Sequence, residues 1–231
     1  MLYHGVVMMR FATPGLVLLL VTSSPATFLG AQQPDLHIEL TTAQIVERVQ
    51  AVYDEVSDFR ASFRQEYANA ALGDTDSSSG VMHFLKPGHM RWDYSAPVAR
   101  YFIIDGESLW IYEPTEAQYY TQPLDDSDLP TALRFLMGRG EFSQEFDITT
   151  LENSQARIVL ELVPRQDEGE YRKLRFVVNP QTFRIEETTI YDPLGNTNRF
   201  VFTERVENVG YVPGDFSFTP PPGASQIESP E

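Results

Sequence analysis

From Phe59 onward the chain alternates with a period of two. Phe59, Ala61, Phe63 and Tyr67 fall on one side of an extended backbone, and Arg60, Ser62, Arg64 and Glu66 fall on the other. This is the pattern of a strand with one wet face. Residues 68–80 are rich in Asn, Asp, Ser and Gly and predict a turn or loop. Strands then follow at short intervals, over about 81–86, 89–95, 98–104, 107–113 and 117–121, with Asp105-Gly106 marking a tight turn. Tyr101 to Ile104 and Leu109 to Tyr112 are apolar on both faces. Both faces of such strands need cover, or one must line a cavity. A second group covers about 145–151, 157–164, 171–178, 183–191 and 198–207, with a strong turn at Asp192 to Asn196.

Helical signals are few. Thr41 or Thr42 can cap a helix whose apolar stripe is Ile45, Val46, Val49, Val52, Tyr53 and Val56. Asp128 can cap a short apolar helix carrying Leu133, Phe135, Leu136 and Met137. Few helices and many short strands, with no repeat and no linker, predict one α+β domain over 41–223 and an irregular tail over 224–231.

The first residues read as a secretory signal. Arg10 closes a weakly basic start, and Phe11 to Val21 is an apolar run shorter than the ~20 residues of a comfortable membrane span. Ser24 and Ala26 place small residues for cleavage after residue 26, with Ala31 as the alternative. The mature chain is therefore expected outside the cytoplasm.

Composition removes several functions. A formal net charge of −16 opposes nucleic acid, and no basic stripe offsets it. The chain has no cysteine, so it has no disulfide, no thiolate metal site and no lipid-accepting cysteine of its own. His83 and His89 lie six apart across a turn, which is not zinc-ligand spacing. Asp74 and Asp76 lack the glycine and glutamate of a calcium loop. Glu186 and Glu187 are adjacent in a strand and point to opposite faces. No nucleophile, phosphate-loop or metalloprotease motif is present. No metal and no cofactor are expected.

Three stretches together carry a resemblance. The first runs from Gly80 through Lys86-Pro87, Arg91-Trp92 and Tyr94 to Asp105-Gly106, Leu109-Trp110, Tyr112 and Pro114. The second is Phe59, Ala61, Phe63 and Gln65; the third is Phe216 to Pro221 with Gly223. Their order and spacing resemble the LolA family of lipoprotein carriers. The resemblance implies a strongly curved, half-closed antiparallel sheet, an unclosed barrel, with helices as a lid over an apolar cavity. It implies periplasmic carriage of lipidated proteins from an inner-membrane ABC-type release complex to an outer-membrane acceptor. Lys86 stands where the family usually has arginine, so a compact ammonium replaces a planar fork at the lid latch.

The residues expected to line the cavity or its lid are Lys86, Met90, Trp92, Tyr94, Trp110, Tyr112, Phe135 and Leu136. Met90, Trp92 and Tyr94 share one face by alternation, and the facing of Trp110 stays open. A monomer is expected, since a carrier needs a free cavity mouth. Three other readings stand beside this one: a carrier of another lipid or a lipoprotein-sensing domain, an exported hydrolase, and a structural envelope protein with a filled interior.

Overall fold

The computed structural model describes residues 40–124, 141–166, 169 and 171–228. The signal segment and the helix expected around Phe135 and Leu136 lie outside the described residues. The described residues belong to one compact unit.

Helix α1 spans Thr42–Glu55. Its start is a capping box. Gln44 donates its backbone N–H to Thr41 Oγ1 at 3.3 Å, and the Thr41 N–H returns to Gln44 Oε1 at 2.9 Å. The expected stripe is the buried face: Ile45, Val46, Val49 and Tyr53 lie against the sheet, and Val56 closes the helix. A second, one-turn helix, α2, spans Phe142–Glu145.

Twelve strands form one sheet. In chain order they are β1 Asp58–Asn69, β2 Asp74–Leu85, β3 His89–Ala96, β4 Arg100–Asp105, β5 Ser108–Glu113, β6 Gln118–Pro123, β7 Phe146–Asn153, β8 Ile158–Pro164, β9 Lys173–Val178, β10 Ile185–Tyr191, β11 Thr197–Glu207 and β12 Ser225–Gln226. Their spatial order is β12-β6-β5-β4-β3-β2-β1-β11-β10-β9-β8-β7. β1 to β6 and β7 to β11 are two meanders, joined where β11 lies antiparallel to β1. β12 and β7 are the free edges, so the sheet does not close.

Curvature follows from who shares the interior. Leu109 on β5 and Phe176 on β9 line one cavity although seven strand spacings separate them. In a flat sheet they would be ~34 Å apart, at ~4.8 Å per spacing. The sheet therefore curls strongly around its apolar face. A bulge between β1 and β11, at Arg60 to Ser62, adds to that bend.

Two expectations change. The loop expected over 68–80 shrinks to the turn Ala70 to Gly73. Residues from Asp74 pair with β1 in unbroken register, from Asp74 opposite Asn69 to Leu85 opposite Asp58. This end of the hairpin is exposed on both faces, so its polar residues show no alternation. Asn69 Oδ1 makes the turn by accepting the N–H groups of Ala71 and Leu72 at 3.0 Å each. The tail, expected to be irregular, adds β12. Ser225 and Ile227 donate to the carbonyls of Ala117 and Tyr119 at 2.9 Å each, pairing parallel with the otherwise open edge of β6.

Candidate functional site: an apolar cavity under helix α1

The register of β1 to β6 decides which side chains face inward. Phe59, Phe84, Met90, Ile104 and Leu109 form one cross-strand row. Ala61, Met82, Trp92, Phe102 and Ile111 form the next. The other half of the sheet adds Leu174, Phe176, Ile190, Phe200 and Phe202. Between these surfaces and Val49, Val52 and Tyr53 of α1 is a cavity of about 430 Å³.

Aromatic rings set its walls. Phe63 lies edge-on to both Trp92 and Tyr94, with centroids 4.8 Å away in each case, and Trp92 meets Phe200 edge-on at 5.2 Å. Gly80 makes that cluster possible. A Cβ there would come 2.1 Å from the Asp93 carbonyl oxygen and 2.9 Å from the Phe63 ring. Burial pushes the Tyr94 hydroxyl up to about 12, against the pull of Arg100, and burial raises Tyr53 further. Both phenols are therefore neutral at any physiological pH.

Lys86 stands where β2 ends. Its Nζ donates to the Tyr53 carbonyl, near the C-terminus of α1, and lies 4.4 Å from the centre of the Tyr53 ring. A cation suits that end of a helix, where carbonyls lack partners. Burial holds the Lys86 ammonium below its usual range, and Asp54 partly offsets this.

The expected site residues divide by face. Met90, Trp92 and Tyr94 line the cavity. Trp110 and Tyr112 do not. They alternate with the inward Leu109 and Ile111 and so lie on the outer face of β5. There Trp110 Nε1 donates to Asp105 Oδ2 at 2.8 Å, and Phe218 of the C-terminal segment packs against both rings at 5.6 and 5.4 Å. Asp105 stays below the usual carboxylate range. Desolvation opposes this, but the N–H groups of Glu107, Trp110 and Ser108 outweigh it. Phe135 and Leu136 fall outside the described residues.

Sequence reading missed the second half of the lining: Phe176, Phe200 and Phe202, and two arginines, Arg184 and Arg205. Phe200 and Phe202 were within reach, since they alternate inside an expected strand. Among the described residues the lining holds no carboxylate and no histidine. No group of three or more His, Asp or Glu there is placed to hold a metal ion, and no helix is long and apolar enough to cross a membrane.

Fold and cavity together define a class: an unclosed, strongly curved antiparallel sheet holding an apolar hollow. The chain belongs to the LolA family, whose profile, described as outer membrane lipoprotein carrier protein LolA, matches residues 54–219. The outer-membrane lipoprotein carrier protein of Methylobacillus flagellatus is 25% identical over 182 residues, covering 79% of this chain and 88% of that one. That of Cupriavidus taiwanensis is 25% identical over 213 residues, covering 91% and 98%. An uncharacterized conserved protein from Thermus thermophilus shares the fold, with a TM-score of 0.51 at 12% identity over 82% of this chain and 100% of that one. A LolA superfamily protein from Nitrosomonas europaea is also similar, with a TM-score of 0.43 at 14% identity over 78% and 98% of the two chains.

Proposed function

We propose that this chain is exported to the periplasm, loses residues 1–26, and carries lipoproteins from an inner-membrane ABC-type release complex to an outer-membrane acceptor. The observation that carries this reading is the apolar cavity, built from both halves of the sheet and covered on one side by α1. Acyl chains cannot cross water unaided, because each methylene removed from water is worth ~0.8 kcal/mol. A carrier must therefore enclose the chains and later let them go.

The enclosed volume supports a hinged container. About 430 Å³ sits low in the ~300–1,000 Å³ range of small-ligand pockets. Several acyl chains need more room, so loading requires α1 to lift from the sheet. Lys86 then acts as a latch, since its bond to Tyr53 holds the end of α1 down. Met90, Trp92 and Tyr94 contact the chains. The lining favours a container over a hydrolase, because among the described residues it includes no carboxylate and no histidine to serve as acid or base. The chain works as a monomer with its mouth free.

The test is to purify the mature chain from the periplasm of its host and identify what is bound by mass spectrometry. Triacylated lipoproteins are expected. Free lipids alone would assign the cavity to a different cargo, and an empty protein from cells that localise lipoproteins without it would overturn carriage altogether.

A further inference from the structure

Arg184 and Arg205 are the charged side chains in the cavity lining among the described residues. Each follows a non-glycine residue in the left-handed backbone region: Phe183 with φ 55° and Glu204 with φ 52°. Side chains of that size rarely adopt this conformation, and such outliers gather where a site needs them.

The β11 outlier has a visible effect. Phe200 and Phe202 face inward, so an unbroken strand would turn Glu204 into the cavity and Arg205 out. Instead Arg60 pairs with Val206 and Ser62 with Thr203, and the bulge shifts the facing by one residue. Glu204 moves to the outer side, where Ser62 Oγ donates to it at 2.7 Å. Arg205 is sent inward, with its guanidinium carbon 4.2 Å from the centre of the Phe59 ring.

The two guanidiniums share one carboxylate. Arg184 Nη2 lies 2.5 Å from Glu207 Oε2, and Arg205 Nε lies 2.9 Å from Glu207 Oε1. The second contact is misaligned: Arg205 Nε and Glu207 Oε1 are both buried, and neither makes a well-directed hydrogen bond. Lys86 brings a third cation to this end of the cavity, and Asp54 a second anion. In a chain of net charge −16, this end carries a local excess of positive charge. Burial also holds Arg205 below its ordinary range, mostly by desolvation. A half-buried guanidinium whose Nε lacks an aligned acceptor gains from a planar oxyanion, which its fork fits at two points.

We propose that Arg184 and Arg205 receive the anionic head, carboxylate or phosphate, of a single-chain lipid whose tail lies in the apolar cavity. This rests on the cavity being open to lipid, as the proposed function requires, but it needs no protein cargo. The enclosed volume, near the lower end for small-ligand pockets, suits one chain better than several.

The test is competitive binding to the delipidated periplasmic protein, using oleate, oleoyl lysophosphatidate and oleyl alcohol as probes. The tails are matched and only the head differs. The two anions are expected to bind at least about tenfold tighter than the alcohol, as an ionic hydrogen bond warrants. In Arg205→Gln, and separately in Arg184→Gln, that ratio falls to about one. Because the readout is a ratio within one preparation, a general loss of affinity cancels. Preference for one anion over the other assigns the head as carboxylate or phosphate and supports the proposal either way. Equal binding of oleate and oleyl alcohol to the unmodified protein overturns it, as does an unchanged ratio in both variants. Failure to bind any of the three probes, alongside lipoproteins recovered by co-purification, overturns this proposal and leaves lipoprotein carriage standing.

Discussion

Lys86 Nζ donates to the backbone carbonyl of Tyr53, tying the end of β2 to the last turn of α1 across 33 residues of sequence. The same ammonium sits over the Tyr53 ring. Lys86→Met keeps the length of the side chain and removes the charge. It is expected to cost about 1 kcal/mol, a value discounted because the lysine is partly exposed. Amide hydrogen exchange should accelerate in the last turn of α1 while β1 and β2 keep their protection. Lys86→Arg restores the contact. Equal exchange in all three proteins would show that this bond does not hold the helix.

Trp92 and Trp110 sit on opposite faces of the same meander. Trp92 contacts Phe63 and Phe200 inside, whereas Trp110 contacts Tyr119 and Phe218 outside. Trp92→Glu places an unpaired charge in an apolar cavity and is expected to abolish retention of acylated cargo. Trp110→Phe removes one hydrogen bond to Asp105 and is expected to cost about 1 kcal/mol with cargo retention intact. Comparable loss of cargo in both would contradict the facing derived from the register.

The C-terminal segment is held to the outer face by Phe216, which is 1% exposed and packs against His89 and Tyr211 at 5.6 and 5.7 Å. Upstream, the buried Asp58 accepts the N–H groups of Val209 and Gly210 at 2.6 and 3.2 Å. Phe216→Ala is expected to lower stability by about 3–5 kcal/mol, the usual range for a buried phenylalanine. Proteolysis should then begin within residues 209–228. Unchanged protease resistance would mean that Phe216 does not hold the segment in place.

His83 gives stability a dependence on pH. Its Nδ1 is 2.7 Å from the Tyr211 hydroxyl, and its Nε2 is 3.8 Å from Asp93, which Arg91 already engages at 2.6 Å. Burial lowers its pKa from the ordinary 6.5; Asp93 opposes this, and Arg91 and Arg60 reinforce it. The unfolded chain therefore takes up this proton first as pH falls. The stability contributed by neutral His83 is complete above 6.5 and is lost as pH drops through the lower folded value. The difference in melting temperature between the unmodified chain and His83→Gln should shrink on acidification from pH 7. A constant difference would rule out this titration.

Much of this molecule was legible in its residues because alternation is a local signal. The stripe of α1, its capping residue and the shared face of Met90, Trp92 and Tyr94 all follow from spacing. Asp74 to Ser79 were not legible as strand, because the end of a hairpin that covers no core is free to be polar on both faces. The facing of Trp110 was not legible because β5 is apolar on both faces, and periodicity cannot say which face a C-terminal segment covers. Arg205 was the hardest to read. Its inward facing depends on a one-residue bulge at Glu204, a long-range pairing decision that leaves no mark in composition.

The most direct test of carriage is photo-crosslinking in living cells, with a benzophenone amino acid placed at Trp92 in one strain and at Tyr112 in another. Carriage in the cavity predicts adducts with lipoproteins from position 92 and none from position 112, which lies on the outer face. Adducts from position 112 alone, or none from position 92 in cells actively exporting lipoproteins, would contradict it.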